Sequence, residues 1–255
     1  MTLVKISAVS FANTYPFIYG LLHNEIINDI KLTYDVPSEC ADKLLNNKAD
    51  IGLIPIAIIP LLKTAKIISP YCIGTENRIR TVQLMANNSI EDISLVYLDY
   101  QSRTSNLLVQ ILFKEWWNKK ITFIKTGKND VVELGNGEAK VVIGDKAFIE
   151  EKKFFYNYDL AYEWKKFTGL PFVFACWASN KSIKEQFENK FTIALKEGID
   201  NINKMLSENF NNVTKFDNIQ SYYTENLSYD LNQDKLKGLN LFIDFITKQH
   251  NELII

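Results

Sequence analysis

The chain has 255 residues, with 29 lysines and arginines against 30 aspartates and glutamates, and 47% of its residues are hydrophobic. That balance gives no extended positive surface for nucleic acid or an anionic membrane. The longest apolar run, residues 51–62, is interrupted by Gly52, Pro55 and Pro60 and is too short to cross a bilayer. We therefore expect a soluble globular protein whose partner is a small molecule. Lys5 lies inside the first apolar stretch, which is unlike a secretory signal and predicts a cytoplasmic location.

Strand-like and helical segments alternate from the start of the chain. The predicted strands are residues 4–9, 30–36 and 51–54, and the predicted helices are residues 15–23, 40–46 and 56–62. This alternation is typical of βα units around a mainly parallel sheet flanked by helices.

A second βα series begins at Leu95. It comprises a strand, a helix to Trp117, a strand at 121–124, a helix at 131–134 and a strand at 140–143. Extended apolar segments at 78–85 and 172–178 are predicted to be crossover strands between two lobes. We assign residues 1–91 and 179–255 to the first lobe and 92–178 to the second, with the ligand cleft between them. Helical patterns in the last third predict helices that return to the first lobe.

The turn Ser102-Arg103-Thr104-Ser105 is the most informative local feature. It lies between a buried strand and an amphipathic helix, so its hydroxyls fall at the helix N-terminus. Unpaired N–H groups and the helix dipole attract a carboxylate or phosphate there, and Arg103 adds a bidentate fork. Simple capping by Ser102 or Thr104 is the alternative.

Three more loops are predicted at the carboxyl ends of strands, where open α/β sheets bind ligands. They are residues 10–14, 55–57 and 144–146. In the first, Asn13 can orient a polar ligand without titrating, or serve as a helix-start residue. In the last, Asp145 either caps a helix or orients Arg103 across the site.

Beside the first crossover, strand alternation would point Arg78 and Arg80 to the same side. One of the two is a candidate for the cleft, although a solvated strand face is favoured for each arginine taken singly.

Cysteine and histidine usage excludes the commonest metal and nucleophile motifs. Cys40, Cys72 and Cys176 have no metal-ligand spacing and are predicted to be buried, reduced thiols. The histidines are His23, in the first helix, and His250, near the C-terminus, so a Ser-His-Asp or Cys-His mechanism has little support. We expect neither a metal nor a cofactor.

Taken together, these motifs resemble the chorismate dehydratase family of the futalosine route to menaquinone. The resemblance covers roughly the first 180 residues, in an order that is specific as a set. The segments that carry the resemblance are Val9-Ser10-Phe11-Ala12-Asn13-Thr14-Tyr15-Pro16, Leu53-Ile54-Pro55, residues 98–105, Ile143-Gly144-Asp145 and residues 164–177. Ala12 departs from the family pattern, which has a larger apolar residue before the asparagine.

The resemblance implies a two-lobed type II periplasmic-binding-protein-like fold and a lyase that removes water from chorismate to give 3-[(1-carboxyvinyl)oxy]benzoate. It implies Asn13 as the catalytic residue, holding the enolpyruvyl end or hydrogen-bonding near the leaving hydroxyl. The implied substrate-binding residues are Ser10, Thr81, Ser102, Arg103, Thr104, Ser105 and Asp145. The helix after Ser102 would take one carboxylate, and Thr81 would help bind the other. A homodimer is left open.

Two rival functions share these features. The first is a dihydroxynaphthoate synthase of the same pathway. Resemblance to that enzyme would imply a threonine-rich helix start and a cleft histidine that acts as base, and this chain has no histidine between His23 and His250. A non-catalytic module that binds or senses an aromatic or cyclic carboxylate is the rival from another class. The absence of a recognisable signal argues against a transport receptor, and conversion of chorismate would separate the remaining functions.

Overall fold

The computed structural model describes residues 3–62, 66–249 and 253–254. Their strands form two sheets. The strands are β1 (Val4–Val9), β2 (Ile30–Asp35), β3 (Ile51–Pro55), β4 (Lys66–Thr75), β5 (Val82–Ala86), β6 (Leu95–Leu98), β7 (Thr122–Lys125), β8 (Glu138–Ile143), β9 (Tyr156–Asp159), β10 (Phe172–Ser179) and β11 (Ser228–Asp230). The first sheet has the order β11-β4-β10-β3-β1-β2 and the second the order β7-β6-β8-β5-β9.

Helices flank both sheets. The α-helices are α1 (Tyr15–His23), α2 (Pro37–Leu45), α3 (Thr104–Ile111), α4 (Ala147–Glu150), α5 (Leu160–Thr168), α6 (Glu185–Asp200), α7 (Ile202–Ser207), α8 (Ile219–Ser221) and α9 (Gln233–Lys248). Short 3-10 helices include Ala12–Thr14 and Ile56–Leu61, and π-helical turns lie at Leu112–Trp116 and Tyr222–Asn226. None of these described helices is long and apolar enough to span a membrane.

The two-lobed α/β architecture is confirmed, but the expected mainly parallel sheets are mixed. In the first sheet β1 pairs in parallel with β2 and β3, whereas β10 runs antiparallel to β3 and β4. In the second, β6 is parallel to β7 and β8, whereas β5 is antiparallel to β8 and β9. β5 and β10 are the first strands after the chain enters a sheet from the other lobe, and a further antiparallel pair joins β11 to β4 within the first sheet.

The chain changes sheet at other residues than those predicted. β5 belongs to the second sheet and β10 to the first, so the crossings are the irregular segments 76–81 and 169–171. The predicted boundaries at 91/92 and 178/179 fall inside one lobe each. The observed strands β5 and β10 begin after the two crossings, and each belongs to a single sheet.

Local patterns predicted most elements well. The strand at 4–9 and the helix at 15–23 have the predicted bounds. The helix predicted at 131–134 is wrong, because these residues are irregular and Val131 is 89% exposed. The strands β4 and β9 were not predicted.

The C-terminal helices return to the first lobe, as predicted. Helix α6 packs on α1 and β4, and α9 packs on β10. Glycines permit the backbone contact between α1 and α6, because a Cβ on Gly20 would lie 2.0 Å from the Ala194 carbonyl oxygen and one on Gly198 would lie 1.9 Å from that of Pro16. This close crossing anchors the chain beyond the second lobe to the helix that follows the Asn13 segment.

Candidate active site

A narrow cleft with a cavity volume of about 50 Å³ lies between the two lobes. This volume is below the range of about 300–1,000 Å³ that small-molecule sites usually have. Each of the four loops singled out from the sequence contributes to it. Its lining residues are Val9, Phe11, Asn13, Thr14, Pro37, Pro55, Ile73, Ile79, Thr81, Val82, Ser102, Thr104, Ser105, Ile143, Gly144, Phe174 and Ala175.

The Ser102 turn (residues 102–105) opens helix α3 toward the cleft. The Ser102 Oγ accepts a hydrogen bond from the Ser105 N–H at 3.1 Å, so Ser102 caps the helix. The N–H groups of Arg103 and Thr104 have no acceptor among the described residues. The predicted helix N-terminus is therefore present, with free donors beside the buried hydroxyl of Ser105.

The Thr104 hydroxyl joins the lobes. It accepts a hydrogen bond from the Ala57 N–H at 3.3 Å and donates one to the Phe174 carbonyl oxygen at 3.2 Å. The single Thr104 proton is used within the protein, so Thr104 fixes α3 against the first lobe. It lines the cleft but has no hydroxyl proton left for a ligand. The Ala57 N–H, in the loop after Pro55, is therefore occupied by Thr104 and is not free for a ligand.

The Arg103 side chain does not have the role predicted for it in the cleft. Its Nη2 lies 2.8 Å from the Asp42 Oδ1 in helix α2, and Arg103 is not among the residues that line the cleft. The alternative in which Asp145 orients Arg103 is wrong, because each side chain has another partner. Arg103 thus makes an exposed ion pair that bridges the rim of the two lobes.

The Asn13 loop (residues 10–14) follows β1 and supplies the first-lobe wall. Asn13 Oδ1 accepts a hydrogen bond from the Thr14 hydroxyl at 3.1 Å. Tyr223 donates its hydroxyl to the Ala12 carbonyl oxygen at 2.6 Å, and Tyr229 donates to that of Asn13 at 3.0 Å. Two tyrosines more than 200 residues away in the chain therefore hold this loop.

Ser10 does not belong to the lining. It is exposed, and its N–H donates to the Asp35 carbonyl oxygen at 2.9 Å, continuing the pairing of β1 with β2.

Asp145 spans the lobes without entering the cleft. Its Oδ1 accepts the Ala12 N–H at 2.9 Å. Burial raises the pKa of this carboxyl, against the opposing effects of the Ala12 N–H and the Lys215 charge. Asp145 therefore neither caps a helix through its side chain nor orients Arg103; it ties the Asn13 loop to the second lobe.

Gly144 lets the Asn13 loop approach the second lobe. Its φ is +67°, and a Cβ there would lie 2.9 Å from the Phe11 ring. A side chain at this position would be both strained and in conflict with that ring. The strand end at Ile143 and the first-lobe aromatic consequently meet in direct contact.

Thr81 reaches the cleft through an unusual turn in the crossing segment 76–81. Arg80 has φ +65°, so strand alternation fails there. Buried Asp159 anchors the turn by accepting the N–H groups of Ile79 and Arg80 at 2.9 and 2.7 Å. The Thr81 side chain is 1% exposed and lines the cleft.

Neither neighbouring arginine lines the cleft, so the role considered there for one of them is wrong. The Arg80 guanidinium pairs with Glu151 at 2.6 Å, and the Arg78 guanidinium lies 3.8 Å from the centroid of the Tyr162 ring. Their backbone turn places the two side chains in different surroundings.

Sequence reasoning missed the residues that fix the site from a distance. Asp159 carried a visible signal, because an aspartate directly before a helix is a common N-cap. In the structure it caps α5 by accepting the Ala161 and Tyr162 N–H groups. Tyr222 and Tyr223 carried none, because their partners Thr81 and Ala12 are 141 and 211 residues away in the chain.

The described residues that line the cleft include no charged or titratable side chain. The thiols of Cys40, Cys72 and Cys176 are free and buried, as predicted, and burial raises the pKa of Cys72 to about 12. His23 lies outside the lining, with its Nδ1 2.8 Å from the Tyr19 carbonyl oxygen. His250 lies outside the described residues.

Solved structures share this fold at low sequence identity. Protein AF1704 from Archaeoglobus fulgidus aligns with a TM-score of 0.76 at 12% identity, over 97% of this chain and 98% of that one. CA3427 of Candida albicans, described as having the generic periplasmic binding protein fold, gives 0.64 at 13% identity, over 100% and 96%. The alkanesulfonate-binding protein SsuA from Xanthomonas axonopodis pv. citri, bound to MOPS, gives 0.65 at 12% identity, over 98% and 94%.

A family model described as menaquinone biosynthesis matches residues 4–248. The match covers both lobes, all four loops of the cleft and the C-terminal helices that return to the first lobe. The chain therefore belongs to the menaquinone biosynthesis family, as its motifs predicted, and has a role in that pathway.

Proposed function

We propose that this protein is a chorismate dehydratase, a hydro-lyase that converts chorismate to 3-[(1-carboxyvinyl)oxy]benzoate. The observation that carries the proposal is a cleft with neutral polar donors, apolar walls and no titratable side chain among the described residues that line it. Such a cleft suits a reaction in which the enzyme mainly orients the substrate. Aromatisation of the ring makes this elimination strongly downhill.

The cleft offers complementary surfaces to a cyclic dicarboxylate. Phe11, Ile79 and Phe174 provide apolar walls for the ring. One carboxylate would bind the N-terminus of α3, where the Ser105 hydroxyl and free N–H groups meet the positive end of the helix dipole. The Thr81 hydroxyl would bind the other. Neutral donors replace the arginine fork expected from the sequence.

The reaction balances within the substrate. The C–H bond at the ring carbon that bears the ether breaks, and its electron pair forms the new ring double bond as the neighbouring C–O bond breaks. Proton and hydroxide leave together as water. The substrate's enolpyruvyl carboxylate is the base in this proposal, because it lies on the ether beside that C–H bond and because apolar surroundings make a carboxylate more basic.

Asn13 acts in this scheme through its amide. With Oδ1 engaged by Thr14, the Nδ2 protons can be donated to the enolpyruvyl carboxylate or to the departing hydroxyl. An amide holds either group without competing for the transferred proton. Asp145 has only a structural part, through its bond to the Ala12 N–H.

Incubation of the purified protein with chorismate tests the function, with the aromatic product followed by absorbance and identified by NMR. We expect product from the wild type and normal turnover by Asp145→Asn, which keeps an oxygen to accept the Ala12 N–H but cannot take a proton. Loss of turnover by this variant with intact chorismate binding would contradict the substrate as base.

The second candidate is a binding or sensing protein for the same ligand class. It is favoured by the fold shared with binding proteins such as SsuA, whose structure holds MOPS. Tight binding of chorismate by the wild type without conversion would support it. The dihydroxynaphthoate synthase alternative calls for a cleft histidine, and none lines the cleft among the described residues.

A further inference from the structure

Tyr222 brings its hydroxyl to the back of the cleft from the C-terminal part of the chain. It opens the π-helical turn Tyr222–Asn226 and is 1% exposed. Its ring packs edge-on against Phe148 of the second lobe, with the centroids 5.0 Å apart. Its hydroxyl oxygen lies 2.9 Å from the Thr81 Oγ1. A residue outside the cleft lining therefore contacts the one cleft hydroxyl that the crossing segment supplies.

The hydroxyl protons in this cluster are limited. Thr81 and Tyr222 have one each. Among the described residues, the other acceptor within reach of Thr81 is the Ile79 carbonyl oxygen at 3.5 Å, at the limit of a hydrogen bond. If Tyr222 donates to Thr81, the Thr81 proton is free for a ligand. If Thr81 donates to Tyr222, Thr81 offers the ligand no proton.

The chemistry of the two hydroxyls favours the first arrangement when a carboxylate is bound. A phenol is a stronger acid than an aliphatic alcohol, so Tyr222 is the better donor of the pair and Thr81 the better acceptor. A carboxylate can only accept, so it takes the Thr81 proton and leaves Thr81 to accept from Tyr222. The Asn13 side chain also contacts the Tyr222 hydroxyl, and with its Oδ1 accepting from Thr14 it has its Nδ2 protons to donate.

We propose that Tyr222 is a positioning residue that donates its proton to Thr81 and so directs the Thr81 hydroxyl proton to a substrate oxygen. This inference rests on the proposed function, because it takes chorismate as the ligand. It deepens that function by linking Asn13 and Thr81, two cleft residues from different parts of the chain, through one buried phenol.

A double-mutant cycle tests it. Tyr222→Phe removes only the hydroxyl, and Thr81→Val removes the group it directs. We expect each to lower kcat/KM for chorismate about tenfold, and the double variant to be no worse than Thr81→Val alone. If the two losses of kcat/KM multiply in the double variant, the role of Tyr222 is merely structural and the inference is overturned. An unchanged kcat/KM in Tyr222→Phe would overturn it as well.

Two controls keep the result interpretable. Tyr19→Phe removes a hydroxyl that donates to Glu208 at 2.8 Å, away from the cleft, and should leave kcat/KM unchanged. If Tyr222→Phe does not fold, Thr81→Ser and Thr81→Val carry the test. The serine variant should stay within a few fold of the wild type while valine loses about tenfold, and equal losses would overturn the inference.

The cycle also separates this inference from the proposed function. If the wild type binds chorismate without converting it, the dehydratase function fails, and the same cycle run on the Kd tests the positioning by itself. If the wild type converts chorismate and the losses multiply, the function stands and the positioning fails. A wild type that does not bind chorismate overturns both.

Discussion

The two walls of the cleft are held in different ways. In the second lobe, the Ser102 turn is fixed by its own helix, through the bond from the Ser105 N–H to the Ser102 Oγ. In the first lobe, the Asn13 loop is fixed by Tyr223 and Tyr229 from the far end of the chain and by Asp145 of the other lobe. The cap of the Ser102 turn is therefore local, although Thr104 and Arg103 also tie this turn to the first lobe, whereas the Asn13 loop is held by distant segments.

This difference indicates which wall is sensitive to distant changes. A helix N-terminus keeps its donors wherever the helix forms, because they belong to its backbone. The Asn13 amide has its position only if the C-terminal segment is packed in place. Substitutions far from the cleft should therefore affect the first-lobe wall more than the second.

The largest effect is expected at Asn13 itself. Asn13→Ala removes the amide of the distantly supported wall and should lower kcat for chorismate by about 100-fold, the loss typical of a preorganised donor. Thermal unfolding should change little, because the side chain is only partly buried. Asn28→Ala, on the exposed surface of the same lobe, is the matched control and should retain full turnover.

Tyr223→Phe tests the distant support directly. It leaves the buried Ala12 carbonyl oxygen without the Tyr223 hydroxyl, so the free energy of unfolding should fall by about 1–3 kcal/mol. Chorismate binding should weaken as well. Urea unfolding monitors the first change. Tyr97→Phe removes a partly exposed hydroxyl 3.5 Å from Glu138 and should cost less than about 0.5 kcal/mol; equal costs would argue against a special role for Tyr223.

Ser102 tests the locally fixed wall. Ser102→Ala removes the cap and should cost about 1 kcal/mol of stability. Ser102→Asp restores a good cap but places a negative charge where a substrate carboxylate is proposed to bind. It should recover stability while raising the KM for chorismate at least tenfold. Recovery of both would argue against an anion site at this helix.

Asp145 links the two walls and should make stability depend on pH. Because burial raises its pKa, the folded state holds this proton more tightly than the unfolded chain does. Ionisation therefore lowers stability as the pH rises from about 4, the unfolded value, through the raised pKa. Asp145→Asn should not lose stability in this way. The free energy of unfolding of the wild type and of the variant, each measured against pH, isolates the contribution of Asp145, and parallel curves for the two proteins would contradict it.

The smallest effect is expected at the rim. The Arg103–Asp42 pair is partly exposed on both sides, at 27% and 54%, so its loss should cost no more than about 1 kcal/mol. Arg103→Ala should also change KM for chorismate less than about threefold, because Arg103 does not line the cleft. A large rise in KM, absent from Asp42→Ala, would restore the arginine fork expected from the sequence.

The features that the sequence predicted are those set by local pattern. The bounds of β1 and α1 follow from hydrophobic spacing, and the cleft loops follow from the rule that ligands bind at strand ends. The side chains of Arg78 and Arg80 were misplaced because the left-handed backbone at Arg80 breaks the alternation that the prediction assumed. Tyr222 could not be linked to Thr81, because 141 residues separate them.

The most direct measurement compares chorismate with an analogue in which the enolpyruvyl carboxylate is a carboxamide. We expect aromatic product from chorismate and, for the analogue, binding without product, because the amide cannot accept the ring proton. Conversion of the carboxamide at a comparable rate would contradict the substrate as base, and chorismate that is bound by the protein and recovered unchanged would contradict the dehydratase function.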